Sequence, residues 1–260
     1  MKGDVLYMKT IIVNLCALSL LLLSASLASA DESSPKIMFD QGHGQRFMIA
    51  GTGDLQLSRF SETLSATGAE VHQAREPLTE DSLKGADALV ISGPFIPLQP
   101  EEIESVLRFI QNGGRLAVML HIAAPMDTLL TRLGVYYSNS ILHERQNVID
   151  RDINFRVTDL SVTRLTAGIS SFSAYGAWTL NPVGSASGLA RTSPASWVDL
   201  NGDGVLSKGD AVGSFALVVS GTLGKGDFVI FGDDAIFQNR FLGDDNKKLA
   251  TNLGAWLTRR

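Results

Sequence analysis

Apolar and polar positions between residues 36 and 133 follow two alternating patterns. Lys36–Asp40 is predicted as a short strand, and the apolar runs Asp87–Ser92 and Arg115–Ile122 are typical of strands in a sheet that is covered on both faces. Apolar residues three and four positions apart predict helices at Leu57–Thr67 and Pro100–Asn112. Strands and helices that alternate at this spacing predict parallel strands with right-handed crossovers. We therefore expect an α/β fold with a doubly wound, mostly parallel, flavodoxin-like sheet.

The second half of the chain is richer in Ser, Thr, Gly and Asn, with shorter alternating segments. We interpret residues 137–213 as a β-rich insertion in the same domain. A Gly-rich turn between two apolar runs predicts an antiparallel hairpin of Phe215–Ser220 and Asp227–Phe231. A last helix is expected at Asp244–Leu257, with its leucines docked on the sheet. Residues 31–260 are thus expected to form a single domain.

The first thirty residues have the pattern of a secretory signal peptide. A short basic start precedes the apolar run Ile11–Leu23, and Ala28 and Ala30 supply the small side chains of a cleavage site before Asp31. A retained membrane anchor is the alternative, but the run is shorter than the roughly 20 residues that span a bilayer. Cleavage would also remove Cys16, the only cysteine. We expect an exported protein, periplasmic or secreted.

The charge of the chain limits the classes of binding partner that are expected. The full chain has 22 basic and 27 acidic residues, and loss of Lys2, Lys9 and Asp4 with the signal peptide leaves 20 against 26, a net charge of −6. No basic cluster stands out, so nucleic acid is not an expected partner. No second apolar stretch is long enough to span a membrane after signal cleavage. The expected binding partner is therefore an unknown protein or a small polar ligand.

Residues 199–210 match the spacing of a calcium-binding loop of the EF-hand type. Oxygen ligands stand at positions 1, 3, 5 and 12 (Asp199, Asn201, Asp203 and Asp210), a glycine stands at position 6, and the Val205 carbonyl is available at position 7. Ca²⁺ takes six to eight oxygen ligands, which such a loop supplies from alternate residues. The alternative is an ordinary acidic turn. We expect a structural calcium site.

Polar residues also follow the predicted parallel strands. Asp40 and His43 follow the first strand, His121 ends another, and Asp233 follows the last. Ligands of doubly wound sheets bind beyond the carboxyl ends of the strands, so these four side chains are candidates for a metal site or for acid–base chemistry. Alternatively, the carboxylates cap neighbouring loops and the histidines are partly buried structural residues.

Several segments resemble the class-I glutamine amidotransferase-like superfamily, in particular an uncharacterised bacterial branch related to accessory proteins of gliding-type ABC transporters. They are the run FDQGHGQ at residues 39–45, residues 87–94 with the helix that follows them, LTAGI at residues 165–169 and GDFVIFGD at residues 226–233. Enzymes of that superfamily carry a cysteine on a glycine-flanked turn, where this sequence has His121–Pro125. The resemblance therefore implies the fold and a binding crevice, without glutaminase activity.

Three functions are compatible with these observations. The missing nucleophile and the calcium-type loop favour an exported, noncatalytic binding or scaffolding domain. A metal-dependent hydrolase that uses Asp40, His43, His121 and Asp233 is the first alternative. An accessory subunit of an envelope or transport complex is the second, by analogy with the transporter-associated relatives.

Overall fold

The computed structural model describes residues 34–259. The predicted signal peptide, its cleavage site and Cys16 lie outside the described residues. Within residues 34–259, no helix has both the length and the apolarity needed to cross a membrane.

Strands dominate the architecture. Fourteen strands are present in the described part of the chain: β1 (Lys36–Asp40), β2 (Glu70–Ala74), β3 (Ala88–Ser92), β4 (Arg115–Met119), β5 (Val135–His143), β6 (Asn154–Val157), β7 (Asp159–Leu160), β8 (Phe172–Tyr175), β9 (Trp178–Pro182), β10 (Ser187–Arg191), β11 (Trp197–Val198), β12 (Ala211–Val212), β13 (Ala216–Leu223) and β14 (Gly226–Phe231). The α-helices are α1 (Ser58–Ser65), α2 (Pro100–Gln111), α3 (Asp127–Arg132) and α4 (Asp244–Leu257).

Twelve strands form one mixed sheet. Its main path runs β12-β11-β5-β9-β13-β14-β4-β3-β1-β2, and β10 pairs with both β13 and β7 beside this path. The five strands from β14 to β2 are parallel to one another. Every other pairing in the sheet is antiparallel. Strands β6 and β8 form a separate antiparallel ribbon.

This topology corrects the predicted fold class. The prediction of a doubly wound, mostly parallel, flavodoxin-like sheet was wrong, because antiparallel pairings outnumber parallel ones in the described chain. The segment interpreted as an insertion supplies most of the antiparallel part. Its strands β5, β9 and β10 continue the main sheet beyond β13. They are therefore part of the central sheet and do not form a separate insertion.

The parallel part of the sheet is covered on both faces. Along β3, Ala88 and Val90 pack into the apolar core beneath α1 and α4, whereas Leu89 and Ile91 pack into the core beneath α2 and α3. All five residues of β3 are buried, which explains its continuous apolar sequence. This layering leaves the carboxyl ends of β1, β3, β4 and β14 side by side at one edge of the sheet.

Candidate functional site

The first cluster at this edge joins two carboxylates through one imidazole. His43 Nδ1 lies 2.9 Å from both Asp40 carboxylate oxygens, and His43 Nε2 lies 3.1 and 3.2 Å from the two Glu102 oxygens. All three side chains are buried. Because both ring nitrogens face carboxylates, His43 has no free nitrogen with which to bind a metal ion or accept a proton from a substrate.

Glu102 links this cluster to the start of α2. It is the third residue of the helix, and its carboxylate accepts hydrogen bonds from the backbone N–H groups of Gln99 (2.8 Å) and Leu78 (2.8 Å). A capping box, in which Gln99 and Glu102 bond reciprocally, starts the helix here. The cluster therefore fixes the loop after β1 against the start of α2 and the chain after β2.

Electrostatics favour a charged His43. Burial disfavours the imidazolium, but the hydrogen bonds and charges of Asp40 and then Glu102 outweigh it and raise the pKa of His43 to about 9. Burial likewise opposes ionisation of Glu102, but hydrogen bonds from Gln99 and Leu78, followed by His43, hold its pKa below the usual value. The cluster is thus a buried ionic triad.

The triad makes stability depend on pH. The pKa of His43 is about 9 in the folded protein, against about 6.5 for an unfolded chain. The stabilisation by His43 is therefore complete below about pH 6.5 and is lost as pH rises through about 9. This loss lowers the free energy of unfolding by about 3 kcal/mol. Urea denaturation across this range should show the unfolding free energy of the wild type falling more steeply than that of His43→Gln. His72→Gln, a change at an exposed histidine, should keep the wild-type slope.

The second cluster surrounds His121, just beyond β4. His121 Nδ1 lies 3.1 Å from Asp234 Oδ1, and the His121 side chain is 40% exposed while Asp234 is buried. The neighbouring Asp233 accepts hydrogen bonds from the backbone N–H groups of Tyr175 (2.6 Å) and Ala235 (2.8 Å). Burial and then the charge of Asp234 raise the pKa of Asp233 to about 8. Asp233 is therefore a structural residue that anchors β8, and Asp234 is the partner of His121.

The four candidates from the sequence thus divide between two clusters. Asp40 and His43 contact each other, and Asp233 lies in the chain next to the residue that contacts His121. Among the described residues, these side chains do not form a group close enough to share a metal ion. Sequence reasoning missed Glu102 and Asp234. The spacing of Gln99 and Glu102 fits a capping box, but that pattern indicates a helix start and gives no sign of the contact with His43.

The calcium-type loop does bring carboxylates together. Oxygen atoms of Asp199, Asp203 and Asp210 all lie within 4.8 Å of one another, the one such group found in residues 34–259. The loop joins β11 to β12, which pair in an antiparallel hairpin. It therefore closes a hairpin, whereas an EF-hand loop joins two helices.

Backbone N–H groups orient these carboxylates. Asp199 accepts hydrogen bonds from the N–H groups of Gly202 (2.6 Å) and Gly204 (2.8 Å), and both glycines have positive φ angles that suit the tight turn. Asp210 accepts from the N–H of Ser207 (2.7 Å) and Asp203 from the N–H of Val205 (3.0 Å). Asn201 Oδ1 accepts from the Asp203 N–H at 2.9 Å. The oxygens of the three aspartates form a converging set of hard donors, which fits Ca²⁺. The Asn201 side chain instead donates from Nδ2 to Asp203 Oδ2 (3.2 Å) and Ser207 Oγ (2.8 Å).

The comparisons with known proteins identify the family. Residues 52–253 match the family model described as a domain of unknown function (DUF4350), and the chain belongs to that family. By sequence, no curated protein matches significantly.

Many solved structures are similar in fold, among them the following three. The N-terminal domain of mmIFT52 superimposes with a TM-score of 0.70 at 17% identity, over 85% of this chain and 97% of that one. A ThuA-like protein from Bacteroides uniformis gives 0.52 at 12% identity, over 89% and 95%. A cytoplasmic protein from Salmonella typhimurium LT2 gives 0.54 at 17% identity, over 86% and 99%. At these identities the likeness concerns the fold alone.

These findings also correct the family resemblance. The assignment to the glutamine amidotransferase-like superfamily was wrong, since the family match and the large, mostly antiparallel sheet point elsewhere. The segments that suggested it are strand ends, glycine turns and a helix start. Such features belong to any parallel β–α–β unit, so they do not distinguish one family from another.

Proposed function

We propose that this protein is an exported, noncatalytic binding or scaffolding domain whose loop 199–210 holds a structural calcium ion. The observation that carries the calcium part is the convergence of the Asp199, Asp203 and Asp210 oxygens within 4.8 Å. The ion would brace the hairpin of β11 and β12, which pairs with β5 at the end of the large sheet. Outside the cytoplasm, where Ca²⁺ is plentiful, even a site with a Kd of ~10⁻⁴ M is occupied.

The binding role rests on the chemistry at the carboxyl ends of the parallel strands. Both ring nitrogens of His43 are taken up by Asp40 and Glu102, which ties that cluster to the fold. His121 keeps one ring nitrogen for an outside group. His121 can therefore bind a ligand at the carboxyl ends of the parallel strands.

Calcium should stabilise the wild type and not a variant that lacks the loop carboxylates. For a Kd of ~10⁻⁴ M, ~10 mM Ca²⁺ adds about 2.7 kcal/mol to the free energy of unfolding. We expect calorimetry of the EDTA-stripped protein to show one saturable site, and thermal melts to show a higher melting temperature with Ca²⁺. Asp199→Ala/Asp203→Ala should lose both effects.

The matched control is Asp54→Ala/Asp81→Ala, which removes two exposed carboxylates elsewhere and should keep both effects. If the wild type shows neither heat nor a shifted melt, loop 199–210 is an ordinary acidic turn and the calcium proposal fails.

Turnover assays separate the binding domain from the metal-dependent hydrolase. Esters, phosphoesters and glycosides should remain intact with the wild type, with and without added divalent metal ions. Hydrolysis that EDTA abolishes, and that is lost in His121→Gln, would instead support the hydrolase.

A further inference from the structure

We propose that His121 and Arg46 form a binding site for small ligands that carry an oxyanion, a carboxylate or phosphate, on an apolar body. This inference rests on the proposed binding function and names the ligand chemistry of the same sheet edge. The site is defined by His121, Arg46, Phe47, Phe95 and Ile96, and we call it the His121 site.

The imidazole of His121 is held so that one nitrogen remains for a ligand. Its Nδ1 faces Asp234 Oδ1 at 3.1 Å, and its backbone carbonyl accepts a hydrogen bond from Trp178 Nε1 at 3.1 Å. Phe47 packs edge-on against the ring, with centroids 4.9 Å apart. With Nδ1 engaged and the side chain 40% exposed, Nε2 is the nitrogen available to an external group.

The buried carboxylate of Asp234 serves the imidazole and is closed to solvent. Its Oδ2 is buried and makes no hydrogen bond within the described residues. That oxygen lies 2.8 Å from the position that a Cβ on Gly93 would occupy, so glycine is needed there. The hydrogen bond to Asp234 is the main cause that raises the pKa of His121, ahead of the opposing effect of burial. A carboxylate in this position orients the ring and favours the imidazolium, which makes Nε2–H a donor.

A second cation and an apolar surface lie beside the ring. The Phe95 ring centroid is 5.4 Å from that of His121, and the guanidinium carbon of Arg46 lies 4.7 Å from the Phe95 centroid. Arg46 is exposed and forms no ion pair with a described carboxylate. The adjacent Ile96 is 51% exposed. The outward groups are thus two hydrogen-bond donors with positive charge and one apolar surface, which matches an oxyanion on an apolar body.

The test uses three probes of similar shape: benzoate, phenyl phosphate and the neutral benzyl alcohol. Binding to the purified protein in EDTA is followed by the NMR shifts of the His121 ring protons, so that the result does not depend on calcium. We expect saturable shifts with benzoate, with phenyl phosphate or with both, and none with benzyl alcohol. Which anion binds more tightly identifies the oxyanion.

Variants decide whether the site is the one proposed. His121→Gln and Arg46→Gln, read from the shifts of neighbouring aromatic protons, should each weaken anion binding about tenfold to hundredfold, the effect of losing a charge-assisted hydrogen bond. His72→Gln should bind as the wild type does. Affinity should also fall as pH rises through the titration of His121, which contacts Asp234 and is also affected by the charges of Asp233 and Arg46.

The proposal is overturned if neither anion binds, if benzyl alcohol binds equally well, or if both variants keep the wild-type affinity. None of these results would change the calcium measurement, and a failure of the calcium prediction would not change the ligand titration, which is done in EDTA. The two failures are therefore distinguishable.

Discussion

His43→Ala is expected to lower the free energy of unfolding by about 3–5 kcal/mol, the usual effect of removing one partner from a buried ionic network. The imidazole lies within hydrogen-bond distance of both Asp40 and Glu102, and all three side chains are buried. Without it, two buried carboxylates face each other across a cavity and must either take up protons or admit water. Urea denaturation at pH 6, where the triad contributes fully, measures the loss.

Two further variants make this expectation specific. His72→Ala, a change at an exposed histidine, should stay within about 0.5 kcal/mol of the wild type. Glu102→Gln combined with His43→Ala should cost less than the sum of the two single changes, because Glu102→Gln removes a carboxylate charge that His43→Ala leaves unpaired. If His43→Ala were as stable as His72→Ala, the triad would have no role in stability.

Local patterns predicted local structure well. The apolar run at Lys36–Asp40 and the spacing at Pro100–Asn112 correspond to β1 and α2 to within one residue. These elements are set by their own sequence, with a buried strand or an amphipathic stripe ended by glycine. Strand pairing is not local in this way. Nothing within β5 indicates that it pairs with β9 on one side and β11 on the other, and the antiparallel half of the sheet was accordingly missed.

The same distinction applies to the site. Asp40 and His43 are three residues apart, and their contact follows from a tight loop after a strand. Glu102 reaches His43 across 59 residues, and Asp234 reaches His121 across 113. Whether Asp233 or Asp234 faces His121 depends on the direction of the chain after β14. A sequence with two adjacent aspartates does not encode that choice in any local pattern.

A residue without any motif anchors the segment that leads into the calcium-type loop. Glu144 follows β5 directly and is fully buried. Its carboxylate accepts hydrogen bonds from the Ser193 N–H (3.0 Å), the Ser193 hydroxyl (2.6 Å) and the Ser196 hydroxyl (2.9 Å), as well as from two backbone N–H groups of its own turn. Burial opposes its ionisation, but these hydrogen bonds, led by that of Ser193, hold the pKa of Glu144 below its usual value. Ser196 leads straight into β11 and then into Asp199.

Glu144→Ala is therefore expected to lower the free energy of unfolding by about 3–5 kcal/mol, because it leaves several buried donors without an acceptor. Glu144→Gln keeps one acceptor oxygen, so its stability should lie between that of the wild type and that of Glu144→Ala. Glu101→Ala, at an exposed helix position, should change the free energy of unfolding little. Urea denaturation measures these differences, and calorimetry of the same variants measures calcium affinity. If the loop depends on this anchor, Glu144→Ala should also bind Ca²⁺ more weakly than the wild type. Unchanged affinity in a destabilised variant would mean that residues 199–210 form the calcium site by themselves, and that the hydrogen bonds of Glu144 stabilise only the sheet.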